Sequence, residues 1–245
     1  MKYSILDVAI DNLSMAQVED RVGDIITRGE RGYIVTPNAS HVVLFQNDQE
    51  FKEAYEKAAL ILPDGMSIML CSIIIGKPLQ EKITGVDLVF RLSSLAVKNR
   101  YSVYLLGAED WVIAETSRVL KERFPGLEIA GYHHGYSENN QEVIDKINQT
   151  TPDILFIGLG FPNQEKWISN YLKDLDIKVA VCIGGVFDVI SGKTKRAPRW
   201  MQDACLEWLW RLIQEPRRLW KRYLFGNPQF IYLVIKQYLK RINSH

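Results

Sequence analysis

Four short segments combine a turn-forming residue with side chains able to hold a sugar phosphate or move a proton. V-T-P-N-A-S-H (35–41) sets Thr36 and Asn38 between an apolar run and a helical pattern beginning near Ala39. Both side chains can hydrogen-bond a sugar or phosphate at a helix N-terminus, or simply cap that helix and hold the turn before Pro37. L-I-L-P-D-G-M-S (60–67) places Asp64 after a buried run and next to a glycine. A carboxylate there is located to act as a general base or, more plainly, to cap a helix starting at Met66. I-G-L-G-F-P-N-Q-E-K-W (157–167) resembles half of a dinucleotide fingerprint, but Asn163 stands where the third glycine belongs. It reads as a Gly158/Gly160 turn whose backbone donors approach a phosphate or sugar, with Gln164 and Glu165 opening the next helix beside the ligand. C-I-G-G-V-F-D-V-I-S-G-K-T-K-R-A-P (182–198) follows Gly184 and Gly185 with Asp188, Lys193, Lys195 and Arg196. An acid followed by bases suits a nucleoside diphosphate, with carboxylate to ring or ribose and cations to phosphate.

These segments need a scaffold that brings strand ends together. Short runs apolar on both faces, 32–35, 60–62, 102–106, 154–157 and 179–183, alternate with helical patterns at 39–58, 85–99, 110–124, 138–149 and 163–174. Such alternation predicts an α/β fold, a Rossmann-like parallel sheet flanked by helices. Ligands gather at the carboxyl ends of such strands, where all four segments fall. Asp174 and Asp176 form a D-x-D, a pattern used elsewhere to hold a divalent metal, but here they precede a strand and sit at the opposite edge. The pair His133–His134 reads as surface or ligand rim. No P-loop, H-E-x-x-H or G-x-S-x-G pattern occurs, and no metal site is expected.

The remainder of the chain differs in kind. Residues 193–245 hold twelve Lys or Arg against Asp203, Glu207 and Glu215, a net of +9, whereas residues 1–192 carry −8. Trp200, Trp208, Trp210 and Trp220, four of the six tryptophans, lie in this end. Basic residues interleaved with Trp and Leu suit an anionic membrane surface, a packed or oligomeric contact, or nucleic acid. Pro198, Pro216 and Pro228 predict three helices, 198–214, 216–225 and 228–242. The expected organisation is a catalytic domain over 1–196 and a basic, Trp-rich helical appendage over 197–245. No run approaches the ~18 apolar residues of a membrane span, and no signal-peptide core appears, so a cytoplasmic location is expected. Cys71, Cys182 and Cys205 lie far apart and read as buried thiols.

Taken together, T-P-N (36–38), L-P-D-G (62–65), I-T-G-V-D-L (83–88), G-L-G-F-P-N-Q-E-K-W (158–167), G-G-V-F-D (184–188), G-K-T-K-R-A-P-R-W-M (192–201) and L-E-W-L-W-R-L-I-Q-E-P-R-R-L-W-K-R-Y (206–223) resemble the WecG/TagA/CpsF family of bacterial glycosyltransferases. The resemblance covers about residues 3 to 240. It implies inverting transfer of a sugar, often N-acetylmannosamine or its uronic acid, from a UDP donor to polyprenyl-diphosphate-linked GlcNAc, without a bound metal or other cofactor. By the same resemblance Asp64 is the base, Thr36 and Asn38 position donor or base, and Gln164 contacts the reacting sugar. Asp188 and the Gly184–Gly185 turn hold the uridine end, while Arg217, Arg218 and Arg222 come from the appendage to the diphosphates. The chain departs from the family's usual Ala-Asp-Gly by having Pro63-Asp64-Gly65. A UDP-glucose or other hexose donor, and a non-catalytic membrane-associated scaffold, are the alternative functions. The basic tail then serves the inner face of the membrane, no nucleic-acid partner is expected, and a homo-oligomer is a further expectation.

Overall fold

The computed structural model describes residues 1–135, 139–198, 200–201 and 206–242, with the side chains of 218, 221–223, 225 and 240–242 outside the description. Six parallel strands form the sheet: β3 (Gly32–Val35), β4 (Leu60–Ile61), β5 (Ser102–Gly107), β6 (Glu128–His133), β7 (Ile154–Gly158) and β8 (Val179–Cys182), in the order β4-β3-β8-β7-β5-β6. Every residue of the neighbouring strands β3 and β8 is buried, as a sheet covered on both faces demands. Successive residues feed opposite layers. Tyr33, Val35, Ala180 and Cys182 enter one core, and Ile34, Val179 and Val181 enter the other.

An N-terminal hairpin, β1 (Lys2–Ile5) and β2 (Val8–Asp11), turns at Leu6 and Asp7, both at positive φ. Asp11 Oδ2 accepts from the Ile61 amide at 2.9 Å, which fastens the hairpin to β4. Helix α1 (Met15–Thr27) begins in a capping box made by Ser14 and Gln17. The helical pattern expected over 39–58 is two helices, α2 (Ala39–Phe45) and α3 (Gln49–Glu56). They separate because Asp48 turns its carboxylate onto the Phe51 amide at 2.9 Å and starts a new helix. Next come α4 (Met66–Ile74), α5 (Gly85–Asn99), α6 (Asp110–Arg123), α7 (Asn140–Asn148), α8 (Asn163–Tyr171) and α9 (Val186–Ile190). Helices α1, α5, α6 and α9 cover one face, and α2, α3, α7 and α8 cover the other.

The C-terminal region supplies α10 (Glu207–Gln214) and α11 (Pro216–Ile242). The two helices expected on either side of Pro228 are one continuous helix of 27 residues, about 40 Å long at 1.5 Å per residue. An internal proline removes one helical hydrogen bond. The opposing contribution is burial: Phe230 and Val234 enter the same core as Val42 and Phe45 of α2, and Gln237 Oε1 accepts from the Leu6 amide at 3.0 Å. One face of α11 therefore closes the body of the protein. No helix among the described residues is long and apolar enough to cross a membrane.

Candidate active site

Strand order reverses at β3 and β8. The chain leaves β3 outward to β4, whereas β8 is reached from β7 on the other side. The loops after these strands diverge there and open a crevice. Helices α10 and α11 roof it, leaving a cavity of about 930 Å³ lined by Thr36, Asn38, His41, Asp64, Gly160, Gln164, Gly184, Gly185, Lys195, Arg196 and Arg211, among others.

The floor is tied together by backbone. The Asp64 amide donates to Pro37 O at 3.0 Å, and the Leu62 amide to Val35 O at 2.9 Å, so the two loops move as one piece. Thr36 is buried and its hydroxyl donates to Cys182 O at 3.3 Å, which crosses from β3 to β8. Asn38 caps α2, its Oδ1 accepting from the Ser40 amide at 3.0 Å. The capping role and a position on the cavity therefore coexist in one residue. Asp64 does not cap α4: that helix begins at Gly65 without a side-chain cap, so the carboxylate is left for the cavity.

Asp64 lines the cavity and is half-buried. Burial pushes its pKa up to about 6; Arg211 opposes the rise, Glu207 adds to it, and His41 and Lys82 oppose it more weakly. A carboxyl poised there is still mostly ionised at neutral pH, yet is basic enough to accept a proton from a hydroxyl in flight.

Behind Asp64 lies a buried polar chain. Gln164 Oε1 accepts from the Gly184 amide at 2.9 Å, and Gln164 Nε2 donates to Glu165 Oε1 at 2.8 Å. His41 Nε2 is 3.4 Å from the same Glu165 oxygen. The Asn38 amide donates to His41 Nδ1 at 3.4 Å, which leaves the imidazole proton on Nε2, facing Glu165. Glu165 is fully buried, and its Oε2 has no hydrogen-bond partner among the described residues. The sequence sets Glu165 with Gln164 at the start of the helix beside the ligand, as found, but gives no sign of its burial. His41 was passed over, and its place three residues after the cap was the available signal. Gly184 sits at φ +60°, a conformation suited to glycine. Gly158 lies behind the cavity wall, where an added Cβ would meet the Phe187 ring at 2.6 Å.

The basic loop is held by α10. The Lys195 amide donates to Gln214 Oε1 at 2.9 Å, and Lys195 O accepts from Trp210 Nε1 at 2.8 Å and Gln214 Nε2 at 3.0 Å. This pins the Lys195 backbone to the helix that carries Arg211. Arg196 lines the cavity but is engaged by both oxygens of Asp87, each at 3.1 Å. Burial would raise the Asp87 pKa, yet the hydrogen bonds from Arg196 and Thr84 hold it below its ordinary value. Lys193 lies 2.9 Å from Glu109 and 3.4 Å from Asp188, so Lys193 and Asp188, two residues of the expected nucleotide clamp, face each other and not the cavity. Arg217 is exposed at the start of α11 and does not line the cavity, while the side chains of Arg218 and Arg222 lie outside the described residues. Arg211, on α10, is the C-terminal cation that acts on Asp64, and sequence reading missed it in favour of the denser arginines that follow. Its position four residues after Glu207, on one face of α10, was the readable clue.

Asp174 and Asp176 lie before β8, at the edge opposite the cavity, and Asp176 is bound by Arg31 at 2.9 Å. His133 and His134 stack on each other at 4.5 Å. Among the described residues no three His, Cys, Asp or Glu side chains are grouped to hold a metal ion. Cys71 and Cys182 are buried thiols; Cys205 lies outside the described residues.

At the switch point of the parallel sheet, one cavity is thus lined by Asp64, whose pKa burial raises, and by the cations Lys195 and Arg211. The model of the glycosyl transferase WecG/TagA/CpsF family matches residues 3–244, and the chain belongs to that family. It is 41% identical over 211 residues to an N-acetylglucosaminyldiphosphoundecaprenol N-acetyl-beta-D-mannosaminyltransferase of Bacillus spizizenii, covering 86% of this chain and 81% of the relative. Proteins of the same name from Bacillus subtilis and Staphylococcus aureus (strain MW2) are 34% and 31% identical, covering 93% and 96% of this chain and 85% and 92% of theirs. The protein is a glycosyltransferase.

Proposed function

We propose that this enzyme transfers N-acetylmannosamine from a UDP donor to N-acetylglucosamine carried on a polyprenyl diphosphate, with Asp64 as the base. The names of the relatives support the acceptor and the sugar. The observation that carries the mechanism is the position of Asp64, raised to about 6 and facing Arg211 within one cavity. Asp64 takes the proton of the acceptor hydroxyl as that oxygen attacks the anomeric carbon. The bond to UDP breaks on the opposite side, which inverts the anomeric centre. UDP departs with added negative charge, and Lys195 and Arg211 are the cations placed to meet it. Gln164 and the Gly184–Gly185 turn shape the donor side. The reaction then needs no bound metal, since side-chain cations neutralise the leaving group.

The enzyme works at the inner membrane face, where its lipid-borne acceptor resides. The +9 charge of residues 193–245 and the exposed Trp200, Trp220 and Leu224 support that location. The experiment is UDP release with a panel of UDP-sugars and a short-lipid GlcNAc-diphosphate acceptor in EDTA, beside Asp64→Ala. Acceptor-dependent release with UDP-N-acetylmannosamine, lost in Asp64→Ala, is the expected result. Release that persists in that variant, or that requires a divalent cation, would overturn the corresponding part of the mechanism.

A further inference from the structure

The cavity does not end at the polar floor. It continues outward as a trough between α4 and α11, walled by Leu70 and Ile74 on one side and Ile231, Ile235 and Tyr238 on the other. These five side chains are 42–57% exposed. Their spacing puts each set on one helix face: 70 and 74 are one turn apart, as are 231, 235 and 238. No charged residue occurs from Met66 to Ile75. Exposed apolar surface of this extent, open to water on two facing helices, marks a binding site.

We propose that this trough receives the first isoprene units of the prenyl-diphosphate acceptor, so that the protein itself, and not the bilayer alone, holds the lipid chain. The proposal rests on the acceptor class given above. Its own support is continuity: Asp64 and the apolar walls line one cavity. The acceptor likewise joins its reacting hydroxyl, through the diphosphate, to the hydrocarbon in a single molecule. The adjoining face of α11 is buried through Phe230 and Val234, so the trough wall is fixed in place and does not have to assemble on binding.

The test is direct binding of farnesyl diphosphate and methyl diphosphate to the full chain by calorimetry, without detergent or vesicles. The wild type should bind the farnesyl compound at least about tenfold more tightly, because buried methylenes each add to affinity. In Leu70→Ser/Ile235→Ser the ratio should fall below about threefold. If the double variant loses its fold, Ile235→Ser alone makes the same comparison on an exposed position. Equal affinities in the wild type, or an unchanged ratio in the folded variant, would overturn the trough. Equal affinities together with phosphatidylglycerol vesicle binding that the variant loses would assign this face to the bilayer instead. Binding is read without turnover, so a farnesyl preference in a protein that transfers no sugar would leave the trough standing and remove only the assigned reaction.

Discussion

Gly184 and Gln164 are joined by a single hydrogen bond, from the Gly184 amide to Gln164 Oε1 at 2.9 Å. It links the end of β8 to the start of α8 across the floor of the site. Because Oε1 is engaged, the amide nitrogen of Gln164 must point to Glu165, and the side chain has one fixed orientation. Gln164→Ala should lose this brace and leave a buried amide without its acceptor, a destabilisation of about 1–3 kcal/mol. Misplacement of the donor should lower kcat/KM by about 100-fold. Steady-state kinetics beside a denaturant melt will separate the two effects, and a normal kcat/KM would deny Gln164 any role in transfer.

Glu165 is fully buried, accepts a hydrogen bond from Gln164 and lies 3.4 Å from His41 Nε2. Glu165→Ala should leave the Gln164 amide unpaired and remove the acidic neighbour of His41, at a cost of about 1–3 kcal/mol. Glu165→Gln keeps one acceptor oxygen and should fall between the two. The order wild type, Gln, Ala in urea midpoints is the expected result. An Ala variant as stable as the wild type would mean that water already satisfies these groups.

Much of this arrangement was legible in the residues. The strands 32–35 and 179–182 are apolar throughout because both faces of a parallel sheet are covered, and the post-strand loops followed from them. The edge strand Glu128–His133 escaped notice because it is partly exposed along its length and mixes polar with apolar residues. The hairpin at 2–11 turns on Leu6 and Asp7 in place of the Asn or Gly that usually marks such a turn. Pro228 suggested a break, and the helix continues because tertiary burial of Phe230 and Val234 outweighs a local preference. Arg211 was passed over for a different reason. Its importance comes from where α10 folds back, whereas composition drew attention to the arginine cluster after Pro216.

Arg211 and Glu207 act on Asp64 with opposite sign: the first lowers its pKa and the second raises it. Arg211→Ala should therefore move the acid limb of the pH–rate profile upward, and Glu207→Gln should move it downward. Arg211→Ala should also lower kcat by about 100-fold if its charge meets the departing diphosphate. Shifts of the same sign in both variants would show that the roofing helix acts through packing and not through charge.

Asp64 itself links activity and stability in opposite directions. As the base it must be ionised, so kcat/KM should fall about tenfold per pH unit below pH 6. Burial raises its pKa in the folded state from 3.8 to about 6, so the native protein binds this proton more tightly than the unfolded chain does. The stabilising contribution of the protonated form is full below pH 3.8 and is lost as the pH rises to 6. At neutral pH the ionised carboxylate is thus a cost, at most about 3 kcal/mol and less where the cavity solvates it. Asp64→Asn removes that charge and keeps the shape. It should abolish transfer while raising Tm at pH 7.5 by on the order of 5 °C, and the gain should vanish near pH 4, where the wild-type carboxyl is itself neutral in the folded state. Calorimetric melts of both proteins at the two pH values decide it. A variant no more stable than wild type at pH 7.5 would place Asp64 in a better solvated setting and shift its role from a tuned base to an ordinary surface carboxylate.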